Sequence, residues 1–504
     1  MSAAEPVVLA LDIGTSEAKG GLITADGRMV ATARVGYPMD FDPATGRSEQ
    51  DPGSWWRAIS TITHQLASAP SSIAAICCVG QGPSLVTVDS AGGATRPAVT
   101  WMDSRVSGEA GALQAATGAS GWALGILPAA RWVERHDPEA ASGARWYLNS
   151  WEWAAVRLTG VAARTRSPGQ EPIDPDHAAA AGLAAGRLPP VIDAGSMVGR
   201  LSVSAAAELG LRAEIPVSAG TVDSFASFHG AGLVDPGDAI DTGGTSGGLA
   251  VYWDSEIPIP DTWVAPAPLP GRWMVGGAMT STGRALEWFA TDVVGEADAA
   301  TLIQAAAQIQ PGAQGLIFLP YLAGERSPIW DPHARGAFVG LTLGHRAPHL
   351  ARAIMEGAAL ALRHVATPIL AAGLRMDELR VTGGTASHDA WNQIKADVLA
   401  VRVAVPEVRE AALLGAAIMG AVGLGWHKDT VAAIRSMVRI ERRCDPIPAN
   451  RAIYDALFDA YTALWPAIAP TVHRLGSLAR PDDGGHRTQP KGGLVDSSHL
   501  RGRV

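Results

Sequence analysis

The amino-acid sequence predicts an α/β protein built as two related lobes around a central cleft. An apolar strand, a polar turn containing Asp, Gly and Thr-Ser, and a second apolar strand occupy residues 7–23, and the same order returns at residues 238–252. Stretches typical of strands alternate with stretches typical of helices along most of the chain. The chain has 504 residues, which is more than one hydrophobic core usually serves. A duplicated hairpin in a chain of this length indicates two halves of common design.

The turn of the first hairpin has the composition of an anion-binding site. Gly14 lets backbone N–H groups approach an anion closely. Thr15 and Ser16 offer hydroxyl donors, and Lys19 brings positive charge. Asp12 lies near the end of the first strand and could hold a hydrated divalent cation. Turn statistics alone leave an ordinary hairpin as an equal alternative, because Asp-x-Gly-Thr also occurs there.

The second copy of the turn, at Gly244-Thr245-Ser246, favours phosphate binding, since two such turns facing each other would hold a polyphosphate from both sides. With Gly248, the same stretch also fits the Gly-x-Ser-x-Gly pattern of serine hydrolases. That pattern requires a helix directly after the serine. Residues 249–253 are strand-like instead, which disfavours a hydrolase.

Composition and charge disfavour several other classes of protein. A formal net charge of −9 argues against a nucleic-acid partner, although it allows a local positive pocket. The N-terminus has no basic region followed by a long apolar run, so we expect no signal peptide. The longest apolar segment, residues 411–426, is shorter than the roughly 20 residues that cross a membrane, and we expect a core helix there. The three cysteines fit neither a disulfide framework nor a zinc site, which agrees with a reducing cytoplasm.

Several predicted elements end or begin at residues suited to ligands. Ser54 is the predicted N-cap of a helix that runs to about Ala69. The next strand ends in a loop at residues 80–83, and ligands gather at such carboxyl ends in open α/β sheets. A later strand ends at Gly383 and Gly384, which could form a platform for a purine or ribose because glycines lack side chains that would block the ring.

The segment Trp101-Met102-Asp103-Ser104-Arg105 allows two interpretations. The indole of Trp101 could cover the C–H face of a sugar while Asp103 and Arg105 bind its hydroxyls. Alternatively, Asp103 and Arg105 form an ion pair within a loop, and Trp101 packs in the core.

Asp223 opens a predicted helix and also has two interpretations. A carboxylate in the first helical turn is kept ionised, which suits a base, but aspartate is also common there as a helix stabiliser. The best candidate for a domain boundary follows, at residues 233–237. We therefore expect lobes at residues 1–234 and 235–475, followed by a disordered tail at residues 476–504.

Together these residues resemble the FGGY carbohydrate kinases over residues 9–475. The most specific match is the family's second signature, which fits at every constrained position as Gly336-x-Phe338-x-Gly340-Leu341, a seven-residue spacer, and His349-Leu350-x-x-Ala353-Ile354-Met355-Glu356. The family's first signature, expected around residues 128–136, is imperfect because the usual Lys is absent.

The resemblance implies a fold similar to actin and hexokinase, of the ribonuclease H-like type, and phosphoryl transfer from ATP with Mg²⁺. It implies that Asp223 is the catalytic base and Asp12 the metal ligand. The implied nucleotide-binding residues are Gly14, Thr15, Ser16, Lys19, Gly244, Thr245, Ser246, Gly283, Gly383, Gly384, Ser387 and His388. The implied substrate-binding residues are Gln81, Gly82, Pro83, Trp101, Asp103, Asp223 and Ser224.

The resemblance also indicates a small ketose as substrate, D-xylulose or a related pentulose. Gly82 and Pro83 stand where xylulokinases have Met-His, so a side-chain contact to the substrate is lost and D-xylulose itself is in question. Erythritol, glycerol, a hexulose or gluconate remain alternatives. A non-catalytic, actin-like nucleotide sensor would keep both hairpins without a base at Asp223. We expect a small sugar or polyol as partner, with neither nucleic acid nor membrane, and the resemblance allows a homodimer as well as monomers and tetramers.

Overall fold

The computed structural model describes residues 5–67, 71–119, 121–167, 170–184, 186–244, 247–295 and 299–478, which form two compact units. Unit 1 comprises Met1–Val234, Ala267–Pro270 and Glu410–Arg439, and unit 2 comprises Asp235–Pro266, Gly271–Arg409 and Ile440–Val504. The first change of unit falls after Val234, where the sequence analysis puts the lobe boundary. The later segments of unit 1 differ from the contiguous lobes expected above. Most of the predicted tail, from residue 479 onward, lies outside the described residues.

Strands and helices alternate in both units. The strands are β1 (Glu5–Ile13), β2 (Glu17–Thr24), β3 (Met29–Gly36), β4 (Asp40–Asp42), β5 (Arg47–Gln50), β6 (Ser71–Gly80), β7 (Leu85–Val88), β8 (Ala98–Val99), β9 (Trp146–Asn149), β10 (Arg164–Arg166), β11 (Val191–Asp193), β12 (Met197–Arg200), β13 (Pro216–Ser218), β14 (Asp238–Asp241), β15 (Gly247–Trp253), β16 (Trp263–Pro266), β17 (Trp273–Met279), β18 (Ile317–Leu319), β19 (Ala337–Val339), β20 (Glu378–Val381), β21 (Val403–Pro406) and β22 (Ile440–Cys444).

The helices are α1 (Pro52–Leu66), α2 (Ser107–Thr117), α3 (Leu127–His136), α4 (Pro138–Gly143), α5 (Ser150–Thr159), α6 (Pro175–Ala180), α7 (Val203–Leu209), α8 (Asp223–Ala231), α9 (Gly283–Trp288), α10 (Ala299–Ala307), α11 (Ala347–Ala371), α12 (Asp389–Leu399), α13 (Ala411–Gly423), α14 (Thr430–Met437) and α15 (Arg451–Leu478). A π-helical turn, Phe289–Val294, extends α9. Short 3₁₀ turns lie at Ser104–Val106, Gly121–Ala123, Ala313–Gly315, Gly384–Ser387 and Pro448–Asn450.

The main sheets of the two units repeat one strand order. In unit 1 the order is β12-β13-β6-β1-β2-β3, and in unit 2 it is β16-β17-β15-β14-β20-β21-β22. In each sheet three antiparallel strands, β3-β2-β1 or β17-β15-β14, continue into two parallel strands, β6-β13 or β20-β21. Unit 1 also contains a five-stranded antiparallel sheet, β4-β5-β8-β7-β9. The repeated order agrees with the duplication predicted from the two hairpins.

Helices cover both faces of the unit 1 sheet. Every residue from Val7 to Ile13 is buried, as expected for a central strand with an uninterrupted apolar run. Neighbouring residues on a strand point to opposite faces. A Cβ added at Gly20 would meet the side chain of Ile62 in α1, and one added at Gly21 would meet Leu413 in α13. The first and last thirds of the chain therefore contribute to one core.

The first helix begins earlier than predicted. The side chain of Asp51 accepts a hydrogen bond from the Gly53 N–H, and Pro52 occupies the first helical position. Proline suits that position because its missing N–H is not needed there. Asp51 is therefore the N-cap, and Ser54 lies inside the helix, which ends at Leu66.

Helix α11 has 25 residues and is rich in apolar side chains. By length and composition alone it is long enough to cross a membrane, whereas the segment singled out from the sequence forms the shorter helix α13. In its most apolar stretch, 72 % of α11 is buried inside the protein. Such burial is typical of a core helix.

Helices α8 and α13 of unit 1 touch backbone to backbone. A Cβ at Gly230 would lie 1.9 Å from the carbonyl oxygen of Ala411, and one at Gly415 would lie 1.9 Å from that of Ala226. Only glycine allows this approach. The contact explains why residues 410–439 join unit 1, since α13 has its partner there.

Gly415→Ala should destabilise the protein by about 1–3 kcal/mol, because the added methyl group forces the two helices apart. Urea unfolding monitored by circular dichroism would measure the loss. Gly111→Ala in α2 is the matched control, since a Cβ there meets nothing within 4 Å. We expect that control to be neutral or slightly stabilising. Equal stability of Gly415→Ala and the wild type would contradict the close contact.

Candidate active site

The first turn connects β1 to β2 and sets Asp12 opposite Lys19 in the strand register. The N–H of Gly14 donates to the carbonyl oxygen of Glu17 at 3.0 Å, and a Cβ on Gly14 would lie 2.9 Å from that oxygen. A side chain would therefore open the turn. Residues 15–16 form its tip and are accessible to a ligand.

Two carboxyl groups interact beside this turn. Asp12 is buried, and Asp223, the first residue of α8, is partly exposed. Burial, and then the charge of Asp223, raises the pKa of Asp12. Partial loss of hydration of its carboxyl also raises the pKa of Asp223 to about 6, although the Ser224 N–H, which donates to Asp223 Oδ1 at 2.7 Å, favours the ionised form. Two repelling carboxylates of this kind readily take up a proton or a cation.

Lys19 is held at the turn by other charges. Its Nζ lies 2.8 Å from Glu410 Oε2 and 3.7 Å from Glu17 Oε1. Arg34 contacts the other oxygen of Glu410 at 3.0 Å. Burial lowers the pKa of Lys19, but the hydrogen bond and charge of Glu410 outweigh it and raise the pKa overall. The ammonium group therefore stays charged beside the turn.

The end of β6 lies next to the start of α8. The N–H of Gly80 donates to the carbonyl oxygen of Thr221 at 3.3 Å, and Gly80 pairs with Val222 as an isolated β-bridge. This pairing brings residues 81–83, the predicted substrate-binding loop, beside Asp223.

Gly82 lies against an indole ring. A Cβ on Gly82 would be 2.7 Å from Cζ3 of Trp151 and 3.3 Å from Cγ2 of Val222. Trp151 is buried, and its Nε1 donates to Thr165 Oγ1 at 2.6 Å. The ring therefore fills the space that a larger residue at position 82 would need. No local sequence pattern indicates a role for Trp151, because its position relative to residue 82 depends on the fold.

Gln81 makes two different kinds of contact. Its Nε2 donates to the carbonyl oxygen of Gly14 at 3.2 Å and to Gln50 Oε1 at 2.7 Å. Its Oε1 is buried and has no partner among the described residues. One half of the amide thus supports the turn, and the other half is a buried acceptor without a partner among the described residues.

The structure supports a different interpretation for each of Trp101 and Asp103. Trp101 is 48 % exposed, and its Nε1 donates to Thr15 Oγ1 at 3.1 Å, so the indole borders the turn. Asp103 is buried and accepts from the Ser48 N–H at 2.9 Å and from Arg105 Nε at 2.9 Å. The structure favours the loop ion pair for Asp103, because both carboxylate oxygens are occupied.

Two of the predicted nucleotide-binding residues of unit 2, Gly283 and Gly383, lie against the backbone of residues 243–244. The Gly283 N–H donates to the carbonyl oxygen of Gly244 at 3.1 Å. A Cβ on Gly383 would lie 2.9 Å from the carbonyl oxygen of Gly243, and the φ of Gly383 is 72°, which favours glycine. Further along the same loop, Gly384 and Ser387 are exposed and His388 is half-buried.

Thr245 and Ser246 lie outside the described residues. The chain directly after them, from Gly247 to Trp253, is the strand β15. A serine hydrolase would require a helix at this point. The strand therefore contradicts the hydrolase alternative.

The two duplicated turns differ at their aspartates. Asp12 Oδ1 is buried and has no hydrogen-bond partner in the described part of the chain. Asp241 is neutralised, since its Oδ2 lies 2.6 Å from Lys395 Nζ and its Oδ1 accepts from the Gly243 N–H at 3.1 Å. Lys395 also donates to Thr385 Oγ1 at 3.0 Å. Of the two carboxylates, Asp12 has the oxygen available for a cation.

Four residues that support the turns have no role in the sequence analysis, namely Tyr37, Gln50, Lys395 and Glu410. Each is distant in sequence from the residues that it contacts. Their residue types are ordinary for strand ends and helices, so their positions carry no local signal. Their contacts with the two turns exist only in the folded chain.

Two family models match the chain. The N-terminal domain of the FGGY family of carbohydrate kinases matches residues 7–230, and the C-terminal domain of that family matches residues 241–424. The chain belongs to the FGGY family of carbohydrate kinases. The resemblance deduced from the signatures is confirmed, and the protein is an ATP-dependent carbohydrate kinase.

Relatives of this FGGY kinase include proteins named for different acceptors. The chain is 31 % identical to a xylulose kinase of Escherichia coli (strain K12) over 410 residues, which cover 77 % of this chain and 84 % of the relative. It is 27 % identical to a gluconokinase of Bacillus subtilis (strain 168), covering 91 % and 95 %. The crystal structure of xylulose kinase from Rhodospirillum rubrum matches with a TM-score of 0.79 and 29 % identity over 93 % of this chain and 100 % of that one. The actin/hexokinase-like, ribonuclease H-like fold class is confirmed.

Asp223→Asn should lower the kcat of this FGGY kinase by roughly 10²–10⁴-fold, the usual contribution of a positioned base. Nucleotide binding, measured by calorimetry, should change little. Asp176→Asn is the matched control, because Asp176 also lies in a first helical turn, that of α6. If Asp223 only stabilises its helix, both variants will keep their activity.

The kcat/KM of the kinase should fall as the pH is lowered through about 6, the pKa of Asp223, because a protonated carboxyl cannot accept the proton of the acceptor hydroxyl. An aspartate of ordinary pKa would remain ionised to roughly pH 4. The folded-state pKa is raised, so protonation of this group stabilises the fold as the pH falls. The fall in kcat/KM therefore cannot come from a loss of stability caused by protonation of Asp223. A flat profile between these two pH values would contradict the role of base.

Proposed function

We propose that this FGGY kinase transfers the γ-phosphoryl group of ATP to a hydroxyl of a small ketose, D-xylulose or a related pentulose. The observation that carries the proposal is the partly exposed carboxyl of Asp223, which interacts with buried Asp12 beside the first turn. The substrate class is supported by the relatives named xylulose kinase.

In the proposed reaction, the carboxylate of Asp223 accepts the proton of the acceptor hydroxyl. The hydroxyl oxygen forms a bond to the γ-phosphorus, and the bond from that phosphorus to the bridging oxygen breaks. ADP leaves with the electron pair of that bond. The raised pKa of Asp223 brings its basicity closer to neutral pH, which makes it a better proton acceptor than an exposed aspartate.

In this proposal the first turn offers one ammonium group and two hydroxyl donors to the phosphates. We assign Lys19 and the hydroxyls of Thr15 and Ser16 to the phosphate oxygens, where negative charge accumulates in a loose transition state. The second turn, with Gly244, Thr245 and Ser246, has the same proposed role. The proposed adenosine site consists of Gly283, Gly383, Gly384, Ser387 and His388.

Asp12 is the proposed ligand of Mg²⁺. Its unpartnered buried oxygen and the repulsion from Asp223 suit a cation, and one or two carboxylates with waters and substrate phosphates are a usual magnesium site. Among the described residues, no cluster of three or more His, Cys, Asp and Glu side chains could hold a metal alone. The ion would supply positive charge to the triphosphate when bound.

The acceptor site is proposed to include residues 81–83, Trp101 and Ser224. Gln81 Oε1 offers an acceptor to a sugar hydroxyl, and the exposed indole of Trp101 can cover a C–H face. Trp151 fills the space beside Gly82, so an apolar ring takes the place of a side-chain contact there. Gluconate is the second candidate acceptor, because the Bacillus subtilis relative is named a gluconokinase.

We place the reaction in the cytoplasm, acting on a small sugar or polyol without nucleic acid or membrane. All three cysteines are free thiols, which supports a reducing compartment. The homodimer remains part of this proposal.

Measuring ADP release with a panel of acceptors tests the proposed function. The panel contains pentuloses including D-xylulose, hexuloses, gluconate, glycerol and erythritol, and we expect the highest kcat/KM with a pentulose. Asp223→Asn is the control for acceptor-dependent release. A higher kcat/KM with gluconate would overturn the proposed substrate. Nucleotide binding without ADP release for any acceptor would favour the non-catalytic sensor.

A further inference from the structure

The carbonyl oxygens of the first turn all accept hydrogen bonds from the protein. Those of Ile13 to Glu17 have these donors: the Gln81 N–H to Ile13 at 2.8 Å, the Tyr37 O–H and Gln81 Nε2 to Gly14 at 2.5 and 3.2 Å, Gln50 Nε2 to Thr15 at 2.7 Å, the Tyr37 N–H to Ser16 at 3.1 Å, and the Gly14 N–H to Glu17 at 3.0 Å. A phosphate repels carbonyl oxygens, so a turn that binds it must direct them elsewhere. Five consecutive carbonyl groups meet that requirement here.

A pair of buried glutamines supplies three of these donors, two of them through side-chain amides. Gln50 and Gln81 are 2 % and 1 % exposed. The contact to Thr15 fixes the orientation of the Gln50 amide, because a carbonyl oxygen can accept only from its Nε2. Gln50 Oε1 is then free to accept from Gln81 Nε2 at 2.7 Å and from the indole of Trp55 at 3.2 Å. The two amides therefore have a single consistent arrangement.

Tyr37 supplies two more donors from the end of β3. Its phenol contacts the Gly14 carbonyl, and its own N–H contacts that of Ser16. Burial and the charge of Asp12 raise the pKa of the Tyr37 phenol, so it stays protonated and remains a donor. The turn is thus held from two sides, by Tyr37 and by the glutamine pair.

The N–H groups of residues 15–16 remain available. Within the described ranges, the backbone N–H groups of Thr15 and Ser16 donate to no other residue. We propose that Tyr37 and Gln50 are positioning residues of the first turn, which hold its carbonyl oxygens away from the triphosphate and leave these N–H groups and hydroxyls free to bind it. This inference rests on the proposed function, in which the first turn binds phosphate.

Tyr37→Phe and Gln50→Glu test the inference. The first removes the phenol donor and keeps the ring. The second replaces the Nε2 donor to the Thr15 carbonyl with a carboxylate oxygen that repels it, and keeps the acceptor oxygen that Trp55 and Gln81 use. Losing one buried hydrogen bond corresponds to at most about tenfold in an equilibrium constant, so we expect a several-fold to tenfold rise in the KM for ATP and a weaker affinity for ADP. The KM for the acceptor should change by less than about twofold, which distinguishes a positioning role from general damage to the fold.

Tyr147→Phe is the matched control in the same unit. Its phenol is fully buried and donates to Glu134 Oε1 at 2.7 Å, a comparable hydrogen bond outside the turn. We expect this variant to lose stability without a change in the KM for ATP. Thermal unfolding of all three variants measures the structural effect.

Unchanged nucleotide affinity in both Tyr37→Phe and Gln50→Glu would overturn the inference. Equal losses for ATP and the acceptor would also overturn it. Calorimetric binding of ADP needs no turnover, so it tests the turn even if the acceptor panel disproves the proposed function. In that case wild-type protein would bind ADP, and the variants would bind it more weakly.

Discussion

The mutual repulsion of two carboxyl groups, Asp12 and Asp223, is the constraint on which the rest of the site depends. Burial raises both pKa values, so the pair takes up a proton or a cation more readily than two exposed carboxylates would. Neighbouring groups reduce the repulsion between the two carboxylates. Glu410 keeps Lys19 charged, and the Ser224 N–H donates to the Asp223 carboxylate. A site that is electrostatically incomplete without its ligands is well prepared to bind them.

Duplication produced two turns with one design and two different electrostatic states. Asp12 leaves an oxygen without a hydrogen-bond partner among the described residues, whereas Lys395 neutralises the corresponding Asp241. The buried lysine also fixes Thr385, which donates to the carbonyl of Gly243 at 3.0 Å. These contacts hold the backbone at Gly243 and occupy both oxygens of Asp241. The two duplicated turns therefore share one chain path but differ in the groups that they leave open to a ligand.

Local patterns in the sequence predict most of the fold. Continuous apolar runs predict β1 and β2, and the repeated hairpin predicts the shared strand order. The sequence does not predict that residues 410–439 belong to unit 1, because that depends on glycines in two distant helices meeting at Gly230 and Gly415. In the site, Asp12 and Asp223 lie within recognisable motifs. Trp151 and Gln50 act through contacts between distant segments, and no local pattern reveals them.

Because α13 belongs to unit 1, the first half of the chain lacks part of the core of that unit. Helix α8, which begins with Asp223, packs through its backbone on a helix translated almost two hundred residues later. A fragment ending at the first unit boundary would expose the apolar face on which α13 normally lies. Residues 1–234 therefore do not contain all of unit 1, and the packing partner of α8 becomes available only once residues 410–439 are present.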